Sequence, residues 1–250
     1  MERQASAQPA LAERVPRHKT RAILGLMRLN FRSAGGRRYV AVDIAAEYLR
    51  SALERLQYEH PALDMLGLGM DFSTSLDLPA EVGDGPRLMF YPGSSIGNFT
   101  PDEALAFLRR MHAASQGGAL LIGVDLVKPR EVLEAAYDDP LQVTAAFNRN
   151  LLRHVSRLAS ADFRIEDWRH VALYNAAAAR IEMHLEAVRE VRVSWPGGGR
   201  RFAAGERIHT ENSYKWQVND FAALIERAGF QPPQHWTDAR GWFAVLAARA

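Results

Sequence analysis

The chain has 250 residues, 48% of them hydrophobic and 24% charged, with a formal net charge of +2 and no cysteine. That is enough apolar material for one large domain or two small ones, and it excludes disulfides and thiolate metal sites. No apolar run approaches the roughly 20 residues needed to span a bilayer, and no secretory leader pattern opens the chain, so the expected setting is the cytoplasm.

The charge is uneven. Residues 1–38 hold eight Arg and one Lys against two Glu, a net +7, which leaves −5 for the remainder. A basic arm of this kind can bind phosphates, but it lacks stacking aromatics apart from Phe31. The expectation is therefore no nucleic-acid partner, no membrane partner and a monomer.

Residues 1–17 show no sustained periodicity and read as an irregular basic N-terminus. From Lys19 to Phe31, Ile23, Leu24, Met27 and Phe31 follow helical spacing until Gly35-Gly36 breaks it. YVAVDIA reads as a buried strand, EYLRSALERLQYEH as a helix stopped at Pro61, and LDMLGLGMDF as a second strand. PRLMFYPGSSIGNF is a strand running into a long polar loop, and PDEALAFLRRMHAAS is a helix with proline and acids in its first turn. GGALLIGVDLV is another buried strand. Strands of near-continuous apolar character alternating with helices predict an α/β core with a parallel sheet covered on both faces. Residues 18–128 form that core, completed by 217–250, where VNDFAALIERAGF is a helix ending at Gly229 and the tail supplies a strand or two.

Residues 129–216 interrupt the alternation and read as an inserted α+β subdomain. Residues 129–170 look helical. RIEMHLEAVREVRVSW and RFAAGERIHTENSYKW alternate on either side of PGGG, a hairpin pattern with a Gly-rich loop.

In a parallel sheet, ligands sit beyond the carboxyl ends of the strands, where this sequence places Asp43, Asp71, the Gly93–Asn98 loop and Asp125. A carboxylate in the position of Asp43 can accept both hydroxyls of a ribose; the plainer reading is an acid that stabilises the following helix. Asp71, one strand-helix-strand step later and followed by Phe72, can accept from an adenine amino group beside a packed ring. The nine residues YPGSSIGNF exceed what a simple turn requires. The Asn98 amide offers both a donor and an acceptor, which suits a zwitterionic small molecule; Thr100 is better placed than Asn98 to cap the next helix. Glu211 and Ser213 share a face of an extended segment, where a carboxylate and a hydroxyl can grip an imidazole or another nitrogen donor. A polar turn is the plainer reading there. His184 and His209 have no second ligand at metal-site spacing in the sequence, so no metal is expected. Hydrolase and phosphoryl-transfer motifs are absent.

Taken together, FYPGSSIGNFTPDEALAFLRRM, GALLIGVDLVKPREVLEAAYDD, VTAAFNRNLLRHVSRLASADF, YNAAAARIEMHL and IHTENSYKW resemble the histidine-specific methyltransferases of ergothioneine biosynthesis, in order from about Lys19 to the C-terminus. The resemblance implies a Rossmann-like class I methyltransferase fold. It also implies S-adenosyl-L-methionine as cofactor and methyl transfer to the α-amino nitrogen of L-histidine, or a similar amino acid, giving the trimethylated betaine. Carried over by position, Lys19, Asp43, Asp71 and Phe72 look like cofactor contacts. Asn98 and Tyr137 look like the catalytic contacts to the amino acid's backbone groups. Glu211, Asn212 and Ser213 look like the imidazole-reading segment, with Met183 lining it. The resemblance further implies a tyrosine-bearing helical segment and a glycine-turn first strand near the start. Here Glu13 is followed by RVPRH, so the chain reads as N-terminally truncated or altered, with the first strand missing and cofactor affinity reduced. The alternative is a catalytically impaired relative that keeps the amino-acid pocket as a binding module.

Overall fold

The computed structural model describes residues 38–250. The Lys19 cofactor contact, the helix from Lys19 to Phe31 and the missing first strand all lie outside the described residues. The chain divides into two compact units, one ending at Phe72 and the other beginning at Ser73.

In the first unit, β1 (Arg38–Asp43) and β2 (Asp64–Gly69) pair in parallel with Asp43 opposite Gly69. Helix α1 (Ala46–Glu59) connects them. A parallel pair needs such a crossover, and the helix must pack back onto the strands. Gly69 permits that approach, because a Cβ there would lie 2.7 Å from the Ala46 Cβ. The Met70 amide donates to the Asp43 carbonyl at 3.1 Å, so the pairing continues past the strand ends and carries Asp71 and Phe72 to the same rim as Asp43.

The second unit holds a four-stranded sheet in the order β10 (Gln234–Thr237), β11 (Phe243–Arg249), β4 (Ala119–Asp125), β3 (Leu88–Tyr91). The β3–β4 pair is parallel, joined by α2 (Pro101–Ser115), and β11 completes the sheet antiparallel to β4. Leu120, Ile122 and Val124 of β4 and Ala244 and Leu246 of β11 are fully buried. The start of α2 is set chemically. Thr100 accepts from the Glu103 amide while the Glu103 carboxylate accepts from the Thr100 amide, a reciprocal cap over Pro101. That draws the Glu103 carboxyl below its ordinary value.

Helices α3 (Arg130–Tyr137) and α4 (Val143–Ala159) follow, and then three antiparallel strands, β5 (Trp168–Asn175), β6 (Arg180–Ala187) and β9 (Arg207–Tyr214), in that order across the sheet. The hairpin β7 (Val191–Trp195) and β8 (Gly198–Phe202) is nested between β6 and β9. Helix therefore does not continue to residue 170: it ends at Ala159, and WRHVALYN is a strand. Its burial alternates at Trp168, Arg169 and His170 because one face packs into the cluster of Leu152, Trp168, Leu185, Val193 and Phe202. Among the described residues no helix is long and apolar enough to cross a membrane. The last helix is α5 (Val218–Arg227).

Candidate active site

The second unit gathers polar groups from four segments on one face of the β6–β9 pair. In antiparallel strands, residues directly opposite one another point to the same side. Met183 is opposite Glu211, and Ile181 is opposite Ser213. Ile181 and Met183 pack with Leu133 of α3 and Tyr174 of β5, and Tyr137 lies against that cluster. Met183, Glu211, Ser213 and Tyr137 thus meet over an apolar floor.

Tyr137 is held from several directions. The Glu134 carboxylate accepts from the Tyr174 amide at 2.9 Å, tying α3 to β5. The buried Asn148 of α4 donates to His170 Nδ1 at 2.9 Å and to the His184 carbonyl at 3.1 Å. Since Nδ1 accepts there, the His170 proton sits on Nε2, which donates to the Tyr137 carbonyl at 2.8 Å. The end of α3 is thereby locked to the sheet, and the hydroxyl of Tyr137 lies 2.7 Å from Ser213 Oγ.

The YPGSSIGNF loop closes the other side. Ser94 adopts a left-handed conformation, φ 60°, and its hydroxyl accepts from the Asp125 amide at 2.7 Å, so the loop is tied to the end of β4. Ser95–Asn98 forms a single tight helical turn, with Ile96 and Gly97 buried. A Cβ on Gly97 would lie 2.9 Å from the Tyr214 carbonyl and 3.4 Å from Ser213 Oγ. The loop thus rests directly on β9, and this is the physical reason for its small residues. Gly97→Ala is expected to lift the turn, to weaken amino-acid binding about tenfold or more and to lower the melting temperature, as calorimetry and thermal melts would read.

Asn98 is exposed, at the end of this turn. Burial pushes the Glu211 carboxyl up from its ordinary value, and the Asn98 amide pulls it partly back. Among the described residues no ion pair reaches the Glu211 carboxylate, so it can accept from a donor brought to this face.

The structure brings to this face a residue that the sequence reading did not single out. Lys215 is 3% exposed. Its ammonium donates to Tyr137 Oη at 2.8 Å and to Ser213 Oγ at 2.9 Å, and it lies 3.0 Å from Asp125 Oδ2. Asp125 also pairs with Lys128. The chain reaches this position because, beyond β9, Trp216 joins the end of β4: its amide donates to the Asp125 carbonyl and its carbonyl accepts from the Val127 amide, each at 3.1 Å. The signal was present, since Lys215 continues the two-residue phase of Glu211 and Ser213.

Asn212 departs from expectation. It lies opposite Glu182 on the other side of the strand pair, so the structure does not bring it to the pocket face. His184 and His209 are also closer to other ligand types than sequence spacing indicates. A register shift after Met183 sets His184 opposite His209, and the donor atoms of Glu182, His184 and His209 lie within 4.8 Å of one another. The two rings are stacked with centroids 4.8 Å apart and planes 24° apart, and Arg180 already pairs with Glu182 at 2.7 Å. Stacked rings direct their lone pairs side by side, not toward one point. Burial and the neighbouring His209 lower the His184 value.

In the first unit, Asp43 Oδ1 accepts from the Ala45 amide at 2.8 Å, which is the helix-start role, at the rim where β1 ends. Asp71 and Phe72 follow β2 at that same rim.

Residues 16–250 match the family model described as histidine-specific methyltransferase, SAM-dependent. The chain belongs to this family. It is 40% identical over 233 residues to the histidine N-alpha-methyltransferase of Mycolicibacterium smegmatis, covering 92% of this chain and 71% of that protein. The enzyme of the same name from Mycobacterium tuberculosis is 37% identical over 236 residues, covering 92% and 72%. Ergothioneine biosynthesis protein 1 of Schizosaccharomyces pombe is 30% identical over 200 residues, covering 77% of this chain and 26% of that protein.

As a member of the family the chain is an S-adenosylmethionine-dependent methyltransferase. The donor set in the first unit fits a nucleoside: two carboxylates with an aromatic neighbour at the carboxyl ends of two adjacent parallel strands, where the crossover helix begins.

Proposed function

We propose that this chain methylates the α-amino nitrogen of L-histidine, using S-adenosylmethionine, and carries the reaction to the trimethylated betaine that ergothioneine biosynthesis requires. The observation that supports this best is that Met183, Glu211 and Ser213 share one face of the β6–β9 pair, with the Tyr137 hydroxyl 2.7 Å from Ser213 Oγ and the turn that ends in Asn98 seated on β9. This arrangement sets a backbone-reading amide next to a ring-reading carboxylate.

In this reading Asp43 receives the ribose hydroxyls, and Asp71 with Phe72 receives the adenine. The cofactor supplies, when bound, a methyl already activated on a sulfonium centre. What the protein must add is alignment of the amine and the loss of its proton, and alignment alone is worth several kcal/mol. Asn98 and Tyr137 hold the amino acid's amine and carboxylate. Glu211 accepts the imidazole N–H in a charge-assisted bond, Ser213 provides a second polar contact, and Met183 packs against the ring. Few other amino acids carry a side-chain N–H at that position, so leaving Glu211 desolvated and unpaired disfavours them.

Repeated methylation removes one N–H at each turn until none is left to donate. Grip on the later intermediates therefore passes to the carboxylate and the ring, which is why both ends of the substrate need partners. The test is release of S-adenosylhomocysteine with each of the common amino acids in turn. Histidine is expected to be the productive one, and equal release with alanine would refute the assignment.

A further inference from the structure

We propose that Lys215 is a positioning residue that turns the Tyr137–Ser213 pair into a single outward proton donor for the substrate's carboxylate. The proposal rests on the reading of this pocket as an amino-acid site, and it concerns a residue that contacts the substrate only through others.

The hydrogen bonds around Lys215 leave one proton to spare. An ammonium has three donors and no acceptor. Lys215 directs them at Asp125 Oδ2, Tyr137 Oη and Ser213 Oγ, at 3.0, 2.8 and 2.9 Å. Both hydroxyl oxygens therefore accept from the lysine, and their own two protons must point elsewhere. The oxygens lie 2.7 Å apart, so one proton is used between them. One remains, and it faces away from the lysine. When Ser213 donates to Tyr137, the outward proton is on Tyr137 and Ser213 keeps one lone pair. The pocket then offers a donor for a carboxylate oxygen at Tyr137 and an acceptor for a ring N–H at Ser213, beside the acceptor Glu211. A chain of bonds running outward from an ammonium is polarised in one direction and favours an anion at its end.

Charge points the same way. Asp125 is shared between Lys215 and Lys128, so this trio carries a net positive charge. Along β9 and its continuation, Glu211, Ser213 and Lys215 follow one another in phase, an anion, a hydroxyl and a cation. An amino acid with a cationic or N–H-bearing side chain and a free carboxylate complements that strip end to end. Lys215 also lies 4.6 Å from the centre of the Tyr137 ring, which holds the phenol against it. A buried ammonium must fill all three donors whatever its role, so the assignment rests on where its two hydroxyl partners lie, on the face that carries Met183 and Glu211.

The test measures affinity by calorimetry on the full chain with S-adenosylhomocysteine present, comparing each amino acid with the amine that lacks its carboxylate: histidine with histamine, and tryptophan with tryptamine. The native protein is expected to prefer histidine over histamine by about 30-fold or more, the scale of one charge-assisted bond. Lys215→Met leaves Asp125 paired with Lys128 and is expected to bring the ratio below about threefold, with histamine and cofactor affinities little changed. If histidine, histamine and the cofactor weaken together, or if the ratio survives, Lys215 has only a structural role and the proposal falls. Should Lys215→Met lose its cooperative melt, Lys215→Gln, whose amide oxygen can accept a hydroxyl proton and turn it inward, is measured in its place and must collapse the ratio likewise; a preserved ratio there overturns the proposal. A native protein that binds tryptophan instead, with an acid-over-amine preference that collapses in Lys215→Met, upholds the Lys215 assignment and refutes the histidine reading. No acid-over-amine preference in either pair overturns the assignment of Lys215.

Discussion

Asn98→Ala is expected to lower kcat/KM for histidine by roughly 100- to 1,000-fold, about 3–4 kcal/mol, while S-adenosylmethionine affinity measured by calorimetry changes little. The size follows from what one amide does. Asn98 ends a turn seated on β9 by Gly97 and tied to β4 through Ser94, and its amide draws the Glu211 carboxyl down. In the proposed reading, removing it deletes a partner of the amino acid and also takes away the amide that offsets part of the burial of Glu211. The turn itself should survive, because its anchors are the buried Ile96 and Gly97 and the Ser94 hydroxyl, none of which the substitution touches. A kcat/KM within threefold of the native value would show that the amide points away from the reaction.

Glu211→Gln is expected to cost about 2–3 kcal/mol, roughly 30- to 150-fold in kcat/KM for histidine, the difference between a charge-assisted bond and a neutral one. It should also change the pH profile. Burial holds the Glu211 carboxyl above its ordinary value in the free protein. The acid form therefore persists to higher pH than in an unfolded chain, and this group's contribution to stability is present at low pH and lost as pH rises through the raised value. Substrate capture requires the opposite form, the carboxylate. The native kcat/KM should thus climb with pH on an acid limb set above the ordinary glutamate range, and that limb should vanish in Glu211→Gln. Limbs due to the substrate's own imidazole and amine remain in both proteins, so the comparison isolates the carboxyl. An unchanged acid limb in the variant would assign it elsewhere.

The positions most legible in the sequence were those where local chemistry and periodicity agree. TPDEALAFLRRMHAAS gave both ends of α2, because a Thr cap, a proline at the first position and an acid three residues on leave the backbone few alternatives. The strand ends bearing Asp43, Asp71 and Asn98 were readable for the same reason: apolar runs stop there and polar or flexible residues begin.

What escaped was set by partners distant in the chain. WRHVALYN is a strand because it pairs with β6 and buries Trp168 against Phe202, and the residues before it had suggested continuing helix. Asn212 was grouped with its neighbours Glu211 and Ser213, although the pleat turns it to the opposite face. The stacking of His184 on His209 depends on a register shift that sequence spacing does not encode. Lys215 was in phase with the site, but its importance depends on Asp125, ninety residues earlier, which reaches it only where Trp216 meets the end of β4.

The most direct test of the account is tandem mass spectrometry of the product formed from L-histidine and S-adenosylmethionine carrying a deuterated methyl. The account predicts three labelled methyl groups on the α-nitrogen and none on the ring, since Glu211 and Ser213 engage the imidazole while Asn98 and Tyr137 present the amine. Label on a ring nitrogen would mean that histidine enters with its ends exchanged, and would contradict it.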